Sequence, residues 1–399
     1  MTARRKPILF CATHSTGEAT TSLVLAGELA RRGVPDLWFA ADDNHRAAVA
    51  GLADVSDVSF ASMGPVNPRL DLTALPDDAY RSVMRPFRFG AVRARTRRLF
   101  DPAHHFDRYR RLDAAVERIQ PALMVINRFC AHAIQVALTR RIPYVITAPC
   151  LPSDLLGHAL PAGYPYPSSG LPRAMTARQR LANRWFKLRA QTLFLDPVVF
   201  ARSIRYVTQL SKHGIDGRAN RPAAVLAAAE LVLCFSTFGV DYPFPIPDNV
   251  RLLGAMIPAL PRLAPDDETV RWLDAHESVV YVAFGSVTRL TRADVVAMLA
   301  VAERLGERHH MLWVLPREAH GHLPPADRMP GNLRVLSWTP SQYDVLAHRN
   351  VRVFFTHGGS NSFHEGLHFG KPLLIRPVCI DQADHAVRAV DRPIPLSTA

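Results

Sequence analysis

The apolar positions of this chain fall in short blocks of four to six residues, each closed by turn residues and followed by a stretch with helical spacing. Residues 7–11 (PILFC) are the first block; a polar loop follows, then residues 22–29 (SLVLAGEL), whose leucines recur at helical spacing before Gly33 stops them. Strand, loop and helix are predicted in that order. Blocks at 37–40 (LWFA), 123–127 (LMVIN), 144–147 (YVIT) and 231–235 (LVLCF) predict further strands. After a proline-rich stretch the alternation restarts, with strands at 279–284 (VVYVAF), 311–315, 333–336, 351–355 and 372–375 and a helix at 293–305. Strands alternating with helices predict parallel sheets covered on both faces, an α/β fold of the doubly wound kind.

With 399 residues, 48% of them hydrophobic, the chain can bury two cores of ordinary size. Prolines cluster at 241–249 (DYPFPIPDN) and return at Pro258, Pro261 and Pro265, which predicts a first domain over 1–240, a connection over 241–249 and a second domain over 250–399. Two doubly wound domains facing each other put a ligand crevice at the carboxyl ends of their strands.

The net charge of +13 comes almost wholly from arginine. These arginines are dispersed and no base-reading motif accompanies them, which argues against a nucleic-acid partner. The densest basic run, 93–111, is either a solvated helical face or a contact with anionic headgroups at the inner face of a membrane. Cys11, Cys130, Cys150, Cys234 and Cys379 lie far apart without a C-x-x-C pair, a pattern that fits a reducing cytoplasm and argues against a disulfide framework. The opening residues have too few apolar positions for a signal peptide's core, and no segment runs about 18 apolar residues without a charge. No obligate protein partner is evident.

The most informative segment is 353–382, VFFTHGGSNSFHEGLHFGKPLLIRPVCIDQ. It reads as a buried strand, a tight turn with Gly358 and Gly359, a helix opening near Asn361, a stop at Gly370-Lys371-Pro372, another strand and a polar loop. A glycine turn leading into a helix start suits a diphosphate, because backbone N–H groups and the positive end of the helix dipole point at it. His357 at the strand end can add a donor.

In this segment the chain resembles the UDP-glycosyltransferase family, whose T-H-G-G-x-N-S, following glutamate, G-x-P and final D-Q it matches. The resemblance extends to 338–348 (WTPSQYDVLAH), 284–286 (FGS) and 241–254 (DYPFPIPDNVRLLG), covering most of the second half well and the first half only in pattern. It implies the GT-B fold: an acceptor-binding domain first and a nucleotide-sugar domain second. It also implies inverting, metal-independent transfer of a hexose from a UDP- or dTDP-sugar to a hydroxyl of a small lipophilic acceptor, such as a lipid, macrolide or polyphenol. The sugar nucleotide is a co-substrate, and no cofactor is implied.

Carried over by position, His357, Gly359, Asn361 and Ser362 hold the diphosphate, Glu365 binds the ribose, and Asp381 and Gln382 bind the sugar. The resemblance likewise implies that Trp338 stacks on the base, with Gln342 in the same loop, and that Ser286 reaches the phosphates. Asp381-Gln382 is associated with glucose-like donors in relatives. Each residue also has a structural reading: Glu365 closing a capping box with Ser362, Trp338 in the core, Ser286 in a turn. The chain departs from the family at 338–342, where relatives usually read W-x-P-Q and one residue more stands here. Residues 174–210, helical in pattern, suit an acceptor lid or a plain helix pair. The chain stops at 391–399, where relatives usually continue to a last helix, so the resemblance implies a shortened C-terminal end. A truncated relative that binds sugar nucleotide without efficient turnover therefore stays open.

A rival motif overlaps the same helix: His364-Glu365-Gly366-Leu367-His368 is a literal H-E-x-x-H, the frame of a zinc hydrolase, with His385 as a third ligand. The short helix and internal glycine argue against it.

Inverting transfer needs a base for the acceptor's proton, and the family places it in the loop after the first strand. Aligning backward from 27–33 puts Glu18 where many relatives carry histidine and some antibiotic and sterol glycosyltransferases carry aspartate, so Glu18 is the first candidate. His14 is the second. The aspartate that orients the histidine in relatives corresponds here to Asn127. For Glu18 the structural reading is an acidic residue favoured at a helix N-terminus.

Overall fold

The computed structural model describes residues 6–52, 58–85, 89–379 and 381–391, and divides into two compact units, Met1–Met256 and Ile257–Ala399. In the first unit the strands are β1 (Ile8–Cys11), β2 (Leu37–Ala41), β3 (Val58–Ser62), β4 (Leu123–Asn127), β5 (Tyr144–Ala148), β6 (Leu231–Cys234) and β7 (Val250–Leu252). They pair in parallel in the order β3-β2-β1-β4-β5-β6-β7. Both faces are covered, as the unbroken apolar blocks required. In β1, Leu9 and Cys11 enter one core, while Phe10 enters the other with Phe39 and Val125.

The second unit repeats the plan with β8 (Val279–Ala283), β9 (His310–Val314), β10 (Leu333–Leu336), β11 (Val351–Thr356) and β12 (Leu373–Ile375), all parallel in the order β10-β9-β8-β11-β12. Here Val282 faces one core with Trp313, and Tyr281 faces the other with Leu312 and Phe354.

Two strands escaped the apolar pattern. β3 (VSFAS) alternates with serine, and β7 (VRL) is three residues long with an exposed arginine. Because β7 pairs with β6, residues 250–252 belong to the first unit rather than the second. The proline cluster before it is also not the connection. Asp241 is buried, and its carboxylate accepts from the Ser153 N–H at 2.8 Å and the Tyr164 hydroxyl at 3.1 Å, while Tyr242 and Phe244 sit in the core. The prolines suppress regular structure there, but the aromatic residues between them still bury.

The predicted helical stretch forms two helices, Ala177–Gln191 and Pro197–Lys212. Thr176 and Gln179 close a capping box on the first, and the Asp196 carboxylate caps the second. Asp196 also binds Arg93 and Arg97 of the helix Phe89–Leu99, and Arg108 of the helix Pro102–Ile119 is buried against Asp42. The basic run 93–111 is therefore not one solvated or headgroup-facing surface. All five cysteines are buried, and none forms a disulfide. Among the described residues no helix is long and apolar enough to cross a membrane. The terminal segment read as shortened, 392–399, lies outside the described residues.

Candidate functional site

In the second unit the chain winds from β8 outward to β9 and β10, then returns to lay β11 and β12 on the other side. Winding reverses between β8 and β11, and at such a reversal the loops leaving the two strands part to leave a crevice. The strand ends are level, Ala283 pairing with Thr356, so the turns that follow meet. Gly285 has φ +71°, and a Cβ there would lie 2.7 Å from the His357 ring; a Cβ on Gly359 would lie 2.4 Å from its Nε2. The imidazole is thus slotted between two stretches of bare backbone. Burial lowers its pKa to about 4, a hydrogen bond with the Ala283 backbone opposes this, and nearby His385 adds to the fall. At neutral pH His357 is uncharged.

Gly359 is the N-cap of the helix Ser360–His368 and supplies no side-chain cap. The backbone N–H groups of Ser360, Asn361 and Ser362 precede the first intrahelical bond, which Phe363 donates to the Gly359 carbonyl at 2.9 Å. A helix start with a glycine N-cap thus lies beside a neutral imidazole, with Ser286 exposed on the turn that carries Gly285.

One turn along the helix, Glu365 is buried, and burial raises its pKa to about 7 against the opposing hydrogen bond from Gln342. Gln342 Nε2 donates to the Glu365 carboxylate at 2.6 Å and to Ser362 Oγ at 3.2 Å, and its oxygen accepts from the Tyr281 hydroxyl at 3.1 Å. With the N-cap at Gly359, Glu365 is too far along the helix to close a capping box. The additional residue of the tryptophan loop finds its role here: Ser341 caps the helix Gln342–Ala347, its Oγ accepting from the Asp344 N–H at 3.3 Å. That cap starts a helix whose first residue turns inward. Trp338 is 64% exposed, so it is not a core residue.

Gln342, Ser362 and Glu365 are thus brought together, and Gly285 and Gly359 flank His357, with Ser286 next to Gly285 in the chain. Asp381 lies at the start of the helix Gln382–Asp391, half-buried, with its carbonyl accepting from the Asp384 and His385 N–H groups. The Gln382 oxygen accepts from the Val378 and Cys379 N–H groups at 2.7 and 2.9 Å, so this side chain shapes its own loop.

The zinc frame does not assemble. His364 Nδ1 is held by the Ser360 carbonyl at 2.7 Å, the Glu365 carboxylate is held by Gln342, and His368 is exposed. Among the described residues no group of three or more His, Cys, Asp or Glu could hold a metal ion.

The first unit has its own reversal between β1 and β4. His14 lies in the loop after β1, and Glu18 in the first turn of the helix Thr16–Arg31. Asn127 ends β4 fully buried; its side-chain amide donates to the Glu18 carbonyl at 3.0 Å and carboxylate at 3.4 Å, and its oxygen accepts from the Phe129 N–H at 2.9 Å. An amide at this position donates to a carboxylate, where an aspartate would repel it. The His14 carbonyl accepts from Asn44 and His45, and burial lowers its ring pKa, with Asp71 opposing and the Arg108 and His45 charges adding to the fall. Arg108, buried against Asp42 and the Met63 and Pro65 carbonyls, is a feature the sequence did not signal. Nothing separates it in sequence from its exposed neighbours.

Two parallel-sheet units, each with its candidate residues at a winding reversal, have the GT-B glycosyltransferase fold. The fold is similar over 97% of this chain and 84% of the other to the glycosyltransferase of kitacinnamycin (TM-score 0.65, 23% identity), and over 98% and 84% to CalG4, the calicheamicin glycosyltransferase (TM-score 0.62, 20% identity). Residues 115–393 match the model of the family described as UDP-glucoronosyl and UDP-glucosyl transferase, and the chain belongs to that family.

Similar relatives include malvidin galactosylase UGT88C3 of Oryza sativa subsp. japonica, 30% identical over 67% of this chain and 60% of the relative. UDP-glucuronosyltransferase 3A2 of Mus musculus is 28% identical over 51% of this chain and 39% of the relative. The anthocyanidin 3-O-glucosyltransferase of Solanum melongena is 33% identical over 33% and 30%. The matched stretches thus span less than two thirds of each relative.

Proposed function

We propose that this protein is an inverting, metal-independent glycosyltransferase that moves a hexose from a UDP- or dTDP-sugar to a hydroxyl of a small lipophilic acceptor. The observation that carries the reading is the slot in which Gly285 and Gly359 hold His357 beside a helix start with a glycine N-cap. Such a cradle offers several hydrogen bonds to a leaving diphosphate without a cation. The buried Glu365, oriented by Gln342, suits paired ribose hydroxyls, and the exposed Trp338 suits a base face. Relatives named for anthocyanidin and malvidin support an aromatic, polyhydroxylated acceptor.

In the step itself the acceptor oxygen bonds to the anomeric carbon as its proton passes to the Glu18 carboxylate. The bond from that carbon to the diphosphate breaks, and UDP leaves with the electron pair. Asn127 positions Glu18 for this, and His14 is the second candidate base. The five buried thiols support a reducing, cytoplasmic setting.

Calorimetry with UDP, beside an assay of UDP release with phenolic, macrolide and lipid acceptors in the presence of EDTA, tests the reading. Binding with acceptor-dependent release is the expected result. Absence of UDP binding overturns the donor site, and binding without release for any acceptor favours a sugar-nucleotide binder.

A further inference from the structure

The helices Ala177–Gln191 and Pro197–Lys212 turn the wrong faces outward. On the first, Leu181, Trp185 and Leu188 share one stripe and are 52 to 68% exposed; on the second, Phe200, Ile204 and Val207 repeat the spacing at 54 to 56%. Phe194 and Leu195, in the turn between, are more exposed than most of these. The inward faces are already filled. Phe186 packs on Tyr166 and Phe89, Val199 and Leu210 are buried, and Tyr206 meets Phe100 and Phe106. The outer stripes are therefore surplus to this unit's own core.

Charge identifies what fits them. Between residues 175 and 214 the first helix carries Arg178, Arg180, Arg184, Lys187 and Arg189, and the second Arg202, Arg205 and Lys212. The one carboxylate in this stretch is Asp196, buried and bound to Arg93 and Arg97. On the first helix Arg178 and Arg189 flank the apolar stripe on one side and Arg184 on the other, as the helical period requires. Beside the second helix a cavity of about 730 Å³ is lined by Arg69, Arg93, Arg97, Arg98 and Arg202, with Asp101. Two such surfaces would repel each other, so a second copy is a poor occupant.

We propose that this two-helix face docks on an anionic lipid bilayer. Its aromatic and aliphatic side chains enter the headgroup boundary, while the flanking arginines and lysines meet lipid phosphates. The inference is independent of sugar transfer.

Flotation of the full chain with vesicles of phosphatidylcholine alone, and of equimolar phosphatidylcholine and phosphatidylglycerol, tests it. The chain should float with the anionic vesicles, and high salt should release it. The double variant Trp185→Glu, Ile204→Glu should lower the bound fraction about tenfold. Its melting temperature and UDP affinity should stay unchanged, since both side chains are exposed. Failure of the wild-type chain to float with anionic vesicles, or equal flotation of the double variant, overturns the proposal. So does sedimentation showing that the same face joins two copies in solution.

Discussion

The two units solve one topological problem with different materials. Each winds outward from a central strand and reverses beside it, between β1 and β4 in the first and between β8 and β11 in the second. In the second unit the reversal is built of backbone: Gly285, Gly358 and Gly359 each have a neighbour within 2.7 Å of where a Cβ would stand. In the first it is built of side chains brought from elsewhere, Asn127 to Glu18 and His45 to the His14 carbonyl. At Gly17, in the first turn of the helix that follows β1, a Cβ would meet nothing within 4 Å. A loop made for a diphosphate needs bare amides at close range, and the same sequence can serve many donors. A loop that meets acceptors needs a positioned proton acceptor, which several side chains can supply.

The largest expected effect separates the two sites by function. Glu18→Gln should lower kcat by about a thousandfold, within the range for loss of a general base, while UDP affinity by calorimetry stays as it was. Turnover near the wild-type rate would remove Glu18 from the role and leave His14.

The glycine contrast comes next. Gly285→Ala forces an L residue into a left-handed conformation and drives its Cβ into the His357 ring, so UDP affinity should weaken roughly thirtyfold, about 2 kcal/mol. Gly17→Ala should leave UDP affinity unchanged and leave the melting temperature equal or higher, since its added methyl has room on a helix. Equal losses for both would end the contrast.

Asn127→Asp sets a second carboxylate 3.4 Å from that of Glu18. Turnover at neutral pH should fall about tenfold and the kcat/KM profile should move to higher pH, because two carboxylates at that distance hold a proton between them. A structural role alone would lower the melting temperature without moving the profile.

An effect of similar size lies in the second unit's proton balance. Glu365 is protonated below about pH 7 and ionised above it, and the proposed ribose contact uses the ionised carboxylate as acceptor. UDP affinity should therefore rise about tenfold between roughly pH 6 and pH 8, and Glu365→Gln should flatten the dependence. The same shift has the opposite sign for stability: a folded pKa above the unfolded 4.5 gives a contribution present below that value and lost as pH rises through about 7. A wild-type affinity that does not change across this range would detach Glu365 from the ribose.

Much of the second unit was legible because its constraints are local. A glycine pair between a buried strand and a helix start can be read along the chain, and β8, β9, β10, β11 and β12 fall within a residue or so of the apolar blocks. Trp338 and Gln342 could be placed in one loop, but the bond from Gln342 to Glu365 spans 23 positions and has no local trace. The proline cluster 241–249 misled, because proline reports the absence of regular structure and says nothing of burial.

By itself the sequence determined the alternating parallel plan, the glycine turn before a helix start and the family, because each rests on the period of the apolar positions or on glycine at fixed offsets. Only the tertiary structure decided that β7 closes the first sheet, that Arg108 is buried among exposed arginines, and that Asn127 reaches Glu18 across 109 positions. Those facts depend on which distant segments become neighbours, and a side chain's partner is a property of the packed fold rather than of the residues on either side of it.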